Sequence, residues 1–210
     1  MITMDKLRIF NVLWTSFSGG PSPIGNRRTE IFLAGCKMAF DGHPCKDCFN
    51  PGLWDKENYV AQNTPMEAYR NIVTYAPNKY ITFVGGEPLD QIEPLARLCR
   101  YLHASDYHII VFTHHTMDEV RSMEHGDELL SNIHVLVDGK YDESERIYRD
   151  NFGDGFTDAV GSGNQVIWDC TTGEGIAARD LAGIYVCPDY SLRYITKGDV
   201  QFEHAERIAV

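Results

Sequence analysis

KYITFVGGEPLDQIEPLARLCRYLHASDYHIIVF, Lys79 to Phe112, changes its hydrophobic period twice. KYITFV is a short apolar run of strand type. Ile92, Leu95, Cys99 and Leu102 then recur at helical spacing, behind Asp90 and Glu93, which carry the spacing of a helix start. HIIVF (108–112) is apolar and strand-like again. A strand, a helix and a second strand in this order make two parallel strands joined by a right-handed crossover.

The pattern extends outward on both sides. RTEIFLAG (28–35) reads as a buried strand running into Cys36. Thr64, Pro65 and Glu67 make a capping box with proline at the first helical position, and Tyr69, Ile72, Val73 and Ala76 follow at helical spacing. Thr116 and Glu119 form another box, opening a helix over Val120, and IHVLV (133–137) is the next strand. QVIWD (165–169) predicts a fifth strand, and GIYVC (183–187) with LRYIT (192–196) a C-terminal hairpin. FSGGPSPIG (17–25) and the Gly- and Asp-rich stretch 140–163 read as loops. The expectation is an α/β fold with a mostly parallel sheet and a C-terminal β extension. A core domain spans 1–169, with 170–210 packed on it. Functional residues of such sheets gather at the carboxyl ends of the strands. Here those ends carry AGC, GGEP, THHT and VDG.

A chain of 210 residues is long enough to bury one sizeable core. No apolar run approaches the roughly 20 residues of a membrane span. The N-terminal MITMDKLRIFNVLW lacks the pattern of a signal peptide, so a cytoplasmic location is expected. A net charge of -11 argues against a nucleic-acid binder, which needs a basic face. It suits solubility first and a basic protein partner second. In the cytoplasm thiols stay reduced, and clustered cysteines point to metal or catalysis.

Three of the six cysteines, Cys36, Cys45 and Cys48, stand in FLAGCKMAFDGHPCKDCFNPGLWD (32–55). Structural zinc takes four ligands and closes its sphere, whereas three thiolates on a [4Fe-4S] cluster leave one iron open. Spacing alone leaves both readings standing. His43, Cys99, Cys170 and Cys187 are the candidates for a fourth ligand, and Cys36, His43, Cys45 and Cys48 make a possible zinc set. Cys99, on an apolar helix stripe, reads first as a core residue. At the end of the second strand, Gly85, Gly86 and Glu87 combine backbone carbonyls with a carboxylate, an acceptor-rich site suited to a primary ammonium group. A plain strand-to-helix turn would carry the same residues.

Taken together, the three cysteines after one strand and Gly85-Gly86-Glu87-Pro88 after the next resemble the radical S-adenosylmethionine (SAM) enzymes. Within them the chain is most similar to the activating enzymes of anaerobic (class III) ribonucleotide reductases. The matching pieces are RTEIFLAGC (28–36), CFNPGLWD (48–55), ITFVGGEPLDQ (81–91), VLVDGKYD (135–142) and GSGNQVIWD (161–169). The resemblance covers about residues 7 to 169 and leaves the last forty or so outside.

The resemblance implies a partial (β/α) barrel of the radical SAM type, a [4Fe-4S] cluster on Cys36, Cys45 and Cys48, and SAM as cofactor. The methionyl amine would be held by Gly85, Gly86 and Glu87. Asp47 and Phe49 flank the last ligand, with Phe49 placed either against adenine or as a cluster shield. Asn164 and Gln165 would line the lower SAM pocket or serve the fifth strand. Asp138 and Gly139 read as a turn. The implied activity is reductive cleavage of SAM and creation of a glycyl radical on a reductase, with electrons from a low-potential donor such as a flavodoxin. Neither nucleic acid nor membrane is an expected partner. Activation of another glycyl-radical enzyme, 7-carboxy-7-deazaguanine synthesis and a zinc-binding adaptor are the alternatives.

The chain departs from the family pattern in three places. Eight residues separate Cys36 from Cys45, against three in the common motif. Thr113-His114-His115-Thr116 stands where the family more often has Thr-Gly-aromatic-Thr, so larger side chains are expected to reshape the adenosine pocket. The extension after 169 carries Cys170 and Cys187 and is expected to be extra sheet rather than a second metal site.

Overall fold

The architecture follows from a computed structural model that describes residues 6–16, 20, 22, 27–147, 160–187, 189–190 and 192–197. The loop 17–25, apart from Gly20 and Ser22, and residues 148–159 of the stretch 140–163 lie outside the described residues.

Two capping boxes close as the sequence dictates. Thr64 accepts from Glu67 N while the Glu67 carboxylate accepts from Thr64 N, starting α2 (Pro65–Tyr75). Thr116 and Glu119 do the same for α4 (Met117–Ser122). A left-handed His125 (φ 66°) separates α4 from a second short helix, α5 (Gly126–Leu130), where one helix was expected. The third signature behaves differently. α3 spans Ile92–His103, and Asp90 does not cap it. A 3-10 turn, Pro88–Gln91, intervenes, capped by Glu87, and Asp90 instead accepts from Lys37 N at the start of α1 (Lys37–Phe40). The apolar stripe of α3 is buried as expected, with Leu95, Cys99 and Leu102 at 0% exposure. Truncating Leu95 or Leu102 to Ala would cost about 2–5 kcal/mol.

The strands are β1 (Leu7–Ser16), β2 (Arg28–Leu33), β3 (Ala61–Asn63), β4 (Tyr80–Gly85), β5 (His108–Phe112), β6 (Val135–Asp138), β7 (Val166–Asp169) and β8 (Gly175–Ala177). They form one sheet in the order β3-β1-β2-β4-β5-β6-β7-β8. Among the described residues only β2-β4-β5-β6 pair in parallel, and β1, β3, β7 and β8 all add antiparallel. The expected mostly parallel sheet is therefore corrected to a mixed, open one. The reason is connectivity. A parallel neighbour needs a crossover long enough to cross the sheet, and the parallel strands are linked by α2, α3 and the α4–α5 pair. Between β7 and β8 only residues 170–174 intervene, too few for a crossover, so the chain returns beside the strand it left.

The C-terminal hairpin is present as β9 (Leu181–Val186) and β10 (Leu192–Thr196) in a separate two-stranded sheet. Tyr194 Oη donates to Ile167 O on β7, and Leu192 N to Asp169 Oδ2.

At the amino edge of the parallel strands, fully buried Arg28 stitches three of them together. Its guanidinium donates to Thr82 Oγ1 (2.7 Å), Ile81 O (2.6 Å) and His108 O (3.1 Å). The opposite edge opens into a cavity.

Candidate active site at the carboxyl edge of the parallel strands

The ends of β2, β4, β5 and β6 line a cavity of about 670 Å³, within the roughly 300–1,000 Å³ typical of small-molecule sites. β7 runs antiparallel, so its first end, at Gln165, reaches the same edge. Cys36, Cys45 and Cys48 all line this cavity together with Gly85, Gly86 and Glu87.

The cysteine loop is built as a closed unit. Gly35 N donates to Leu53 O (2.9 Å) and Cys36 N to Trp54 O (3.0 Å), so the loop returns to its own start. The enlarged Cys36–Cys45 spacer is folded rather than slack. Its residues form α1, closed by His43 N on Met38 O, and Asp90 holds the helix at Lys37 N. Trp54 Nε1 donates to Cys48 Sγ at 3.4 Å, a hydrogen bond of the kind that tunes a sulfur ligand. Burial pushes the Cys36 thiol up to about 11 and raises that of Cys45. Such thiols are not free nucleophiles at neutral pH. They would become thiolates only when a cation compensates their charge, as in a metal site.

The zinc set fits less well. His43 is exposed and lies outside the cavity lining. Among the described residues, the only three His, Cys, Asp or Glu donors within 4.8 Å of one another are those of Glu87, His114 and His115. The three thiols are thus more widely spread than ligands of one zinc, whose sulfurs at about 2.3 Å from the metal stand roughly 4 Å apart. A four-iron cluster spans a wider set. Cys99 is buried in the core, and Cys170 packs against that core.

The glycines of GGEP serve the backbone. Gly85 has φ +131°, and a Cβ there would strike Leu33 O and N, while one on Gly86 would strike Gly35 O. Gly86 N donates to Leu33 O (2.9 Å) and Glu87 N to Gly35 O (2.7 Å), so these glycines bring the end of β4 against the start of the cysteine loop. Glu87 is 1% exposed and takes four donors. Oε1 accepts from Leu89 N (2.9 Å) and Thr113 Oγ1 (2.8 Å), and Oε2 from His114 N (2.9 Å) and His114 Nδ1. Burial alone would raise the Glu87 carboxyl, but the His114 hydrogen bond and charge outweigh it and hold it below its ordinary value. Burial likewise disfavours the His114 imidazolium, and bonding to Glu87, aided by Asp90 and Glu119, overcomes this and raises its value. The two pair on the cavity wall, Glu87 buried and His114 partly exposed, and the pairing favours the imidazolium.

The VDG and GSGNQ segments turn out to be two halves of one clamp. Asp138 accepts from Met117 N (2.6 Å), Trp168 Nε1 (2.9 Å) and Val166 N (3.3 Å). Gln165 Oε1 accepts from Gly161 N and Ser162 N, and its Nε2 donates to Gly139 O. Asn164 Nδ2 donates to Lys140 O (2.9 Å). The clamp sets Tyr141 and Gly161 at the cavity mouth. There Phe49, 64% exposed, meets Tyr141 edge-on with ring centres 5.4 Å apart. Gln165 and Phe49 line the cavity, whereas Asn164 and Asp47 stand outside its lining, Asp47 in an exposed left-handed turn (φ 55°). Thr113 and His114 lie at the strand edge where THHT was expected, although their bonds to Glu87 had no local signal, and Trp54 is a site residue that motif reading missed.

A family model described as a 4Fe-4S single cluster domain matches residues 24–168. The anaerobic ribonucleoside-triphosphate reductase-activating protein of Enterobacteria phage T4 is 25% identical over 156 residues, which cover 70% of this chain and 86% of that protein. The matched segment contains Cys36, Cys45, Cys48 and Cys99 and leaves out Cys170 and Cys187. The chain thus belongs to the 4Fe-4S single cluster domain family.

Proposed function

We propose that this protein is a radical SAM activase that generates a glycyl radical on an anaerobic ribonucleoside-triphosphate reductase. The observation that carries the reading is the shared cavity. Three buried or half-buried thiols and the GGE turn face one space at the carboxyl edge of the parallel strands. Similarity to the phage activating protein supports the substrate class.

In this reading Cys36, Cys45 and Cys48 hold the cluster and leave one iron open for SAM. When bound, cluster and SAM together supply one-electron cleavage of a carbon–sulfur bond and abstraction of hydrogen from a partner's glycine Cα. The chain's own residues bind, orient and exclude water. Glu87 and the carbonyls of Gly85 and Gly86 receive the methionyl ammonium. Phe49 and Tyr141 form a wall for a flat ring. Gln165 holds Gly139 and Gly161 in place beneath it. A low-potential donor such as a flavodoxin supplies the electron.

The test is anaerobic reconstitution followed by dithionite, SAM and a co-encoded glycyl-radical reductase. Methionine and 5'-deoxyadenosine should form, with a carbon-radical doublet in the electron paramagnetic resonance spectrum whose splitting changes when the reductase glycine is deuterated at Cα. Turnover of a small pterin-like substrate with no protein radical would overturn the reading in favour of a deazaguanine synthase.

A further inference from the structure

The carboxylate assigned above to a ligand ammonium already carries the His114 imidazole ring. An ionised carboxylate offers about four lone-pair sites, and Glu87 has four donors within the protein. An incoming ammonium must therefore displace one of them. Two are backbone N–H groups, of Leu89 and His114, held by the turn after β4 and the turn after β5. The third is the Thr113 hydroxyl, which is 5% exposed and pinned because its oxygen also accepts from His115 N at 3.1 Å. The fourth is the His114 ring. Its side chain is 18% exposed, lines the cavity and pivots on its own Cα–Cβ bond.

We propose that His114 is a built-in stand-in for the ligand's ammonium group: it holds Glu87 in the resting arrangement and swings off when a primary ammonium arrives, so that one cation replaces another on the same carboxylate. The inference rests on the SAM-binding reading and adds a residue that selects the ligand's charged end. It gives the site a specificity device, since only a ligand that brings its own positive charge can replace the imidazolium without leaving Glu87 as an uncompensated buried charge. A neutral ligand end meets a site that is already satisfied.

The exchange has a proton consequence. His114 faces Glu87 and Asp90 from the turn before α3, Glu119 from α4, and the His115 ring 4.1 Å away. Once separated from Glu87 and placed near a second cation, the imidazolium loses its main support and releases its proton. No covalent step is involved.

The experiment is anaerobic calorimetry of SAM binding to the reconstituted protein, in two buffers of different protonation enthalpy and across a pH series. For the natural chain the dissociation constant should fall by up to about tenfold per pH unit as pH rises towards the His114 value in the ligand-free protein, with up to one proton released per SAM. Loss of the ligand's own ammonium proton at higher pH weakens binding to every variant alike and cancels in the comparison. His114→Ala should bind SAM with no such proton release and with higher affinity at low pH. His114→Gln keeps a neutral donor for Glu87, so it should fold normally and also lose the proton release. It keeps the test decisive if the alanine variant is unstable. SAM binding with the same pH profile and proton count in all three proteins overturns the inference and leaves the activase reading intact. Absence of SAM binding in the natural chain overturns the activase reading, and the inference falls with it.

Discussion

Glu87 and His114 shift each other in opposite directions, and this fixes where in pH their pairing stabilises the fold. The Glu87 carboxyl lies below its ordinary 4.5, so its contribution is present above that value and is lost as pH falls through the lower folded value. The His114 imidazole lies above its ordinary 6.5, so its contribution is complete below 6.5 and is lost as pH rises through the raised folded value. Both hold at full strength between 4.5 and 6.5. Glu87→Gln, which leaves His114 and two backbone donors without their anion, should cost about 3 kcal/mol in that window and less on either side. Urea unfolding of both proteins at a series of pH values measures it, and a pH-independent difference would refute the pairing. The cysteines make a second residue-scale expectation. Cys36→Ala, Cys45→Ala or Cys48→Ala should each abolish the visible absorption and bound iron of the anaerobically reconstituted protein. Cys99→Ala should keep both and lose about 1 kcal/mol of stability, as expected for a small buried side chain. Loss of iron in Cys187→Ala alone would mean that the ligand set is misassigned.

At the scale of elements, the crossing of β4 against the cysteine loop is the joint on which the site depends. A Cβ on Gly86 meets backbone of Gly35 and Leu53, atoms that cannot turn aside. Gly86→Ala should therefore cost about 3 kcal/mol, the top of the usual overpacking range, and weaken iron retention. Gly52→Ala in the same loop meets nothing within 4 Å and should stay within about 0.5 kcal/mol of the natural chain. Thermal unfolding and iron content compare the two. This joint also shows what was legible in sequence. The parallel arc β2-β4-β5-β6 and helices α2 and α4 could be read because hydrophobic period and capping boxes are local signals. The turn after GGEP could be recognised as a site, but the reason for its glycines could not, because Gly35 lies fifty residues away. Asp90 was read as a cap for the wrong helix for the same reason: its partner, Lys37 N, is distant in sequence. β3 and β8 were missed because they are three-residue edge strands with little apolar pattern, and β1, ten residues with ample apolar character, was weighed only as a leader segment. Among the candidate site residues, Cys36, Cys45, Cys48, Gly85, Gly86 and Glu87 meet at one cavity. His114, expected at the β5 end, lines the same cavity, and its bond to Glu87 is visible only in the fold.

For the molecule as a whole, charge and apolar exposure make competing claims on how a protein partner is held. The net charge is -11, and among the described residues no helix is long and apolar enough to cross a membrane. Two aromatic rings stand exposed on the elements that carry the cysteines: Phe40, 72% exposed, on α1, and Phe49, 64% exposed, beside Cys48. Excess negative charge acts at long range, would steer a basic partner surface, and is screened over about 10 Å at 0.1 M salt. The rings act only on contact and gain from salt. If charge governs docking of the proposed reductase, its affinity should fall roughly tenfold between about 50 and 500 mM sodium chloride, with most of the change in the association rate. Phe40→Ala should then slow association little and speed dissociation. Surface-immobilised reductase under anaerobic conditions gives both rates directly. An affinity that is flat or rises with salt, together with a large loss in Phe40→Ala, would place the docking energy in the exposed aromatic surface beside the cysteine loop and leave the acidic surface to solubility alone.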